Sequence, residues 1–205
     1  SYSTFWRRTQ EIPPQVRSLA IYGEKALKDD YTPYVRRRYQ EMHSNEWWVA
    51  DNHTFDVQTI GPDGSKHRLY LTAFVDARSG IFTGWHVSEN PSAQSTLLAL
   101  RKGALERGLP ENLLTDNGSE FLAWDVGGRG HRTRKTAADS EKDRPPTIMQ
   151  HLGIQFHCAQ VKNAQAKPIE RRFLDVKGQF SRLWATYTGG NVTEKPECLK
   201  KVLKR

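Results

Sequence analysis

The stretch Asn112-Leu113-Leu114-Thr115-Asp116-Asn117-Gly118-Ser119-Glu120-Phe121 decides the fold. Its first four residues read as a short strand, and Asn117-Gly118 as the turn that closes it. Just upstream, Pro91 opens a helix with Ala93, Leu97, Leu100 and Ala104 at helical spacing, and Gly108-Leu109-Pro110 ends it. A strand entered from such a helix is expected to join its sheet by a parallel crossover. The sheet it joins lies further upstream. Trp47 to Val57 is aromatic and β-branched, His67 to Val75 is a second strand ending at Asp76, and Ile81 to Val87 a third. Gly61-Pro62-Asp63-Gly64 and Arg78-Ser79-Gly80 supply the turns of an antiparallel meander.

Downstream, Thr147 to Leu152 is expected to form a helical turn and Ile154 to Cys158 a last short strand. A final helix starts near Lys167-Pro168, Pro being tolerated in a first turn. Its stripe of Ile169, Phe173, Val176, Phe180 and Leu183 predicts a core-facing helix that runs to Gly189-Gly190. Between them, residues 124–146 carry Gly127, Gly128, Gly130, a mixed charge run and Pro145-Pro146, which reads as a mobile loop. The first 44 residues read as a polar helical segment, and 188–205 as a basic segment leading on to a further domain. The order β-β-β-α-β, a short α-β and a long helix fits a mixed α/β sheet with helices on both faces.

A chain of 205 residues, 37% of them hydrophobic, supports one substantial domain with an appendage. The net charge of +8 points to a polyanionic partner, nucleic acid ahead of membrane, or to a solvated basic surface. From Val161 to Arg205, 11 Lys or Arg stand against 4 Asp or Glu, so most of the excess lies around and beyond Glu170. Two cysteines, Cys158 and Cys198, make no disulfide framework, and a reducing, cytoplasmic setting is expected. No apolar run approaches the roughly 20 residues of a membrane span. The chain opens at Ser1 and stops inside a basic stretch, and reads as a piece of something longer.

Three carboxylates stand at element ends in three distant segments: Asp51 in the first strand, Asp116 after the crossover strand, and Glu170 in the first turn of the last helix. In a mixed sheet, functional groups collect at strand ends near the point where the topology switches. Gathered there, three acids repel one another unless hard cations neutralise them. A pair of divalent ions about 3.5–4 Å apart is a common device for phosphodiester chemistry. Each acid alone also has an ordinary reading, in turn chemistry for Asp116, a favourable helix-dipole position for Glu170 and a strand end for Asp51. Asp56 is an alternative first ligand. Asn117 and Glu120 read as turn and helix-start residues, with orientation of water or metal ligands as the alternative. Lys162, Lys167, Arg171 and Arg172 flank Glu170 and are candidate phosphate contacts. The triple Arg36-Arg37-Arg38 reads as a solvated helix face or a phosphate contact. His151, His157 and Cys158 lack a second pair that would complete a zinc spacing.

Asp51, the Asp116-Asn-Gly-Ser-Glu-Phe turn and Glu170 resemble the Asp-Asp-Glu signature of retroviral-integrase-type catalytic cores. Gln165-Ala166-Lys167-Pro168-Ile169-Glu170-Arg171 is similar to the region around the catalytic Glu of phage Mu-like transposases, and Val75 to Trp85 to that family's second hairpin. The resemblance covers about residues 45–185. It implies an RNase H-like, retroviral-integrase-like fold with a mixed five-stranded sheet flanked by helices. It also implies two Mg²⁺ or Mn²⁺ ions held by Asp51, Asp116 and Glu170, hydrolytic nicking of transposon ends, and joining of the freed 3′-hydroxyls to target DNA. The implied partners are transposon-end and target DNA, further copies of the chain, and an AAA+ ATPase for target selection. The separation of 54 from Asp116 to Glu170 exceeds the retroviral spacing, which favours a transposase. Two alternatives stay open: the core of a heteromeric, ATPase-regulated bacterial transposase, and a DNA-binding or assembly module without chemistry.

Overall fold

The computed structural model describes residues 1–31, 39–128, 146–159, 168–197 and 199. Two compact units divide at Arg38 and Tyr39. The first holds α1 (Tyr2–Glu11) and α2 (Pro14–Tyr31), the latter interrupted at Gly23, whose φ of 84° breaks the helical path. Arg36, Arg37 and Arg38 lie outside the described residues, as does most of the 124–146 segment.

The second unit is built on β1 (Trp47–Thr54), β4 (Tyr70–Asp76), β5 (Phe82–Ser88), β6 (Asn112–Thr115) and β7 (Gln155–Cys158), with β2 (Thr59–Ile60) and β3 (Lys66–His67) forming a separate small ribbon. The main sheet runs β5-β4-β1-β6-β7. β1 pairs antiparallel with β4 and parallel with β6, and β6 pairs parallel with β7. The helices are α3 (Ala93–Arg107), α4 (Ser119–Leu122), α5 (Ile148–His151) and α6 (Pro168–Gln179). This is the expected mixed five-stranded sheet flanked by helices.

Alternation along β1 divides the core in two. Trp48 and Ala50 face α3, α4 and α5, burying Leu100, Phe121 and Met149 against Phe74 and Leu113. Val49 faces the other way, with Ala73, Val75 and Leu114, and meets Ile169 and Phe173 of α6. α3 begins at Ser92, whose hydroxyl accepts from the Ser95 amide at 3.1 Å, and ends at Gly108 with φ 84°. Asn45, at φ 66°, ties the entry to β1 to its surroundings: its amide donates to buried Asp76 at 2.9 Å, its side chain to the Arg107 carbonyl at 2.7 Å, and it accepts from the Trp48 indole at 2.9 Å. No helix among the described residues is long and apolar enough to cross a membrane.

Two expectations need correction. The second strand does not run unbroken from His67: β3 ends there, and β4 starts at Tyr70. At the break the Arg68 side chain turns to the Phe55 carbonyl at 2.7 Å and to Asp56. The last helix stops at Gln179, ten residues short of Gly189. Ile169 and Phe173 are buried, whereas Phe180 and Leu183 are exposed. Gly178 weakens the final turn, and a 3₁₀ turn over Ser181–Leu183 sends the chain back to pair Tyr187 with Val57. The 3.6-residue pattern ran on past the point where tertiary pairing took over.

β5 and α3 approach closely at Gly84, where an added Cβ would lie 2.2 Å from the Ala99 carbonyl oxygen and 2.9 Å from the Gly103 nitrogen. Both neighbours are backbone and cannot swing aside. Gly84→Ala is expected to cost at least the roughly 1–3 kcal/mol of core overpacking. Urea or thermal unfolding measures this, and an unchanged midpoint would refute the close packing.

Candidate active site

β1 and β6 pair in parallel register, Trp47 with Asn112, Trp48 with Leu113 and Val49 with Leu114. Carried two residues beyond the last pair, the same register sets Asp51 beside Asp116. Asp51 is half-buried in β1, opposite Ala73 of β4, and shares the parity of Val49, which faces α6. One of its carboxylate oxygens accepts from the Asn52 amide at 2.8 Å. Asp116 is half-buried immediately after β6. Its Oδ1 accepts from the Gly118 amide at 3.0 Å, an Asx turn that fixes the side chain against its own backbone.

The Asn-Gly pair closes the strand, but not by positive φ. Gly118 has φ −60° and ψ 143°, a conformation open to any residue. Its requirement is space: a Cβ there would lie 2.6 Å from Glu120 Oε1 and 3.0 Å from Asp116 Oδ1. Two carboxylates therefore converge on the place a side chain would occupy. The turn is held on its far side as well, where the Asn117 amide donates to the Ala159 carbonyl, just past β7, at 3.0 Å.

Glu170 is exposed in the first turn of α6, the helix that covers the Asp51 face of the sheet. Among the described residues no group of three or more His, Cys, Asp and Glu side chains stands close enough to hold a metal ion. The structure thus brings the two aspartate-bearing segments together and leaves Glu170 on the neighbouring helix. Lys162 and Lys167 lie outside the described residues. Arg171 is exposed beside Glu170, whereas Arg172 turns back to Asp175 at 3.1 Å.

Asp56 is 6% exposed and is held by Arg68 and, at 4.0 Å, by the Lys177 ammonium. With two protein cations beside it, this carboxylate is committed to structure. Lys177 also meets Glu194 at 2.7 Å, and the Tyr187 hydroxyl donates to the same carboxylate at 3.1 Å. The group ties α6 both to the end of β1 and to the segment that follows the helix. His157 Nε2 hydrogen-bonds the Asn112 Oδ1, an acceptor, at 3.1 Å and the ring lies against Trp47, a packed role.

His53 was not singled out in the sequence, yet it joins the two halves of the site. Two residues after Asp51 and on the same side of β1, it stacks on Phe173 of α6 with ring centroids 4.8 Å apart. Burial pushes its imidazole below the ordinary value, against the pull of the Asp56 carboxylate. Its Nε2 is buried with no hydrogen-bond partner among the described residues. A histidine three residues before an isolated acid gives no sequence signal for such a role, because its partner is 120 positions away.

The Lys177 ammonium, followed by the Gly190 amide, holds the Glu194 carboxyl down to about 2, from an ordinary 4.5. A depressed carboxyl contributes stability that is fully present above its unfolded value and is lost as pH falls through the folded one. Glu194→Gln is expected to melt below the parent at pH 7, with the gap closing between about pH 4.5 and 2. Thermal melts across that range test this; a gap independent of pH contradicts it.

The sequence profile of the integrase core domain matches residues 41–163. The transposase of transposon Tn552 from Staphylococcus aureus is 26% identical over 202 residues, covering 94% of this chain. The chain spans 38% of that protein's length. Among solved structures, the HTLV-2 integrase catalytic core domain in complex with magnesium (dimeric form) aligns with a TM-score of 0.49 and 15% identity, over 79% of this chain and 86% of that one. The simian T-cell lymphotropic virus intasome in complex with the PP2A regulatory subunit B56 gamma aligns with a TM-score of 0.49 and 13% identity, over 83% and 49% of the respective chains.

Proposed function

Because the chain belongs to the integrase core domain family, we propose that it is the catalytic core of a DNA transposase, with Asp51, Asp116 and Glu170 as its metal-holding carboxylates. The observation that supports the reading is the β1–β6 register, which, carried two residues past its last pair, aligns Asp51 with Asp116. Aspartate oxygens carried by adjacent segments of one sheet are the hard, acceptor-only donors that Mg²⁺ takes. When bound, such ions supply positive charge at the attacking and leaving oxygens of an in-line displacement at phosphorus.

The chain's own residues divide the remaining work. Asp51 is fixed by its place in the middle of the sheet, and Asp116 by its Asx turn, so this half of the site is set before DNA arrives. Glu170 stands apart on α6, and its approach to the pair belongs to the assembled complex with DNA. Arg171, exposed next to Glu170, is placed to neutralise a phosphate of the bound strand. Lys162, Lys167 and Arg172 are the other basic candidates in this region. The proposed reaction is hydrolytic nicking at transposon ends followed by attack of the freed 3′-hydroxyl on target DNA. A homo-oligomeric assembly with DNA, an ATPase partner and a cytoplasmic setting complete the reading. It takes the transposase class, and the phage Mu-like affiliation remains a resemblance of the Gln165–Arg171 segment.

The test is Asp51→Asn, Asp116→Asn and Glu170→Gln in the transposase that contains this core, assayed for Mg²⁺-dependent end cleavage and joining. Loss of even a residue that only supports a metal ligand costs about 10–100-fold, so each substitution is expected to cost at least about 100-fold while DNA binding persists. Retention of activity by all three would sink the assignment. Arg171→Ala is expected to weaken DNA binding without regard to sequence and to flatten the salt dependence by about one phosphate contact. Binding titrations at several salt concentrations read both effects, and an unchanged slope removes Arg171 from the interface.

A further inference from the structure

Backbone pairing between β1 and β6 stops at Val49 and Leu114, two residues before the aspartates it aligns. Beyond that point the ladder no longer fixes the distance between the strands, although this is where a shared ion needs it fixed. A side-chain link spans the gap. The Asn52 side-chain amide donates to Glu120 in the first turn of α4, joining β1 directly to the segment that carries Asp116. The other end of the Asn52 amide is also used: its Oδ1 accepts from the Thr72 hydroxyl of β4 at 2.7 Å. With both ends engaged, the amide cannot rotate without losing a bond, and its backbone N–H holds Asp51.

The placement follows from strand alternation. Asn52 has the parity of Trp48 and Ala50, so it faces the side of the sheet where α4 packs through Phe121, opposite to the face of Asp51. Glu120 therefore acts from the reverse side of the sheet. It is also one of the two carboxylates that converge on the missing Cβ of Gly118, the other being Asp116. Since the Gly118 backbone would accept any residue, the absence of a side chain there preserves the approach of Glu120 to the Asp116 turn.

We propose that Glu120 and Asn52 are positioning residues, a Thr72–Asn52–Glu120 tether that sets the separation of Asp51 and Asp116 where strand pairing ends. The inference rests on the reading of that pair as metal-holding. Groups that orient a metal's ligands typically govern affinity by about 10–100-fold. Glu120 accomplishes this by accepting a hydrogen bond, which glutamine also does, so the charge is dispensable and the acceptor is not.

The experiment is calorimetric titration of Mn²⁺ into the 205-residue chain for the parent, Glu120→Ala, Glu120→Gln and the reversed pair Asn52→Asp with Glu120→Gln. Alanine and glutamine both remove the charge, so the difference between them reads the hydrogen bond alone. Alanine is expected to weaken binding about tenfold, and glutamine and the reversed pair, whose new amide donates to the new carboxylate, by no more than about threefold. Equal losses for alanine and glutamine would make the charge the active feature and overturn the proposal, as would alanine binding like the parent. Asp51→Asn and Asp116→Asn in the same titration locate the ion. If they leave binding unchanged, the metal reading fails, and the tether is then judged by hydrogen exchange of the Gly118 amide. Faster exchange in alanine than in glutamine supports it, and equal rates overturn it.

Discussion

The parallel pairing of β1 with β6 is the constraint on which the rest of the molecule depends. β1 is the middle strand, bonded antiparallel to β4 on one side and parallel to β6 on the other. A parallel neighbour requires a crossover, and α3 supplies it, packing so closely that Gly84 and Gly103 are needed where it meets β5 and Trp48. The same pairing divides the core, sending Trp48 toward α3 and Val49 toward α6. It also aligns Asp51, inside β1, with Asp116, which follows the end of β6. Architecture and candidate chemistry thus share one register.

α6 is held to this frame by contacts of several kinds. Ile169 and Phe173 are buried against the sheet, His53 stacks on Phe173, and Lys177 reaches Asp56 and Glu194. These contacts act along the helix from its first turn to its last, yet Glu170 itself remains exposed. The helix is anchored on one side while its acid stands at the free edge. On the proposed reading Glu170 is a ligand completed on assembly with DNA, and the anchor limits where it can go.

Much of this was legible from local chemistry. Pro91, Ser92 and Gly108-Leu109-Pro110 bracket α3, and the short apolar run Asn112–Thr115 is β6 at its full extent, because caps and turns act over a few residues. Asp51 and Asp116 could be set on neighbouring strands once the crossover was recognised. The remainder depends on partners far away in sequence. The end of α6 was misread because the stripe through Phe180 and Leu183 keeps helical spacing while the chain leaves to pair Tyr187 with Val57. Asp56 could not be told from a ligand until Arg68 and Lys177 were seen beside it. The Asn117-Gly118 turn gave no sign that Gly118 is needed for space, since of the two carboxylates around it Glu120 is held by Asn52 on another strand.

The central claim is that Asp51 and Asp116, aligned by the β1–β6 register, form one cation site. Anomalous diffraction from a crystal of this chain soaked in Mn²⁺ tests it most directly. The account predicts an anomalous peak bridged by the carboxylates of Asp51 and Asp116, with β1 and β6 still paired through Val49 and Leu114. A peak at other acids with none between these two, or no bound ion at saturating Mn²⁺, would contradict it.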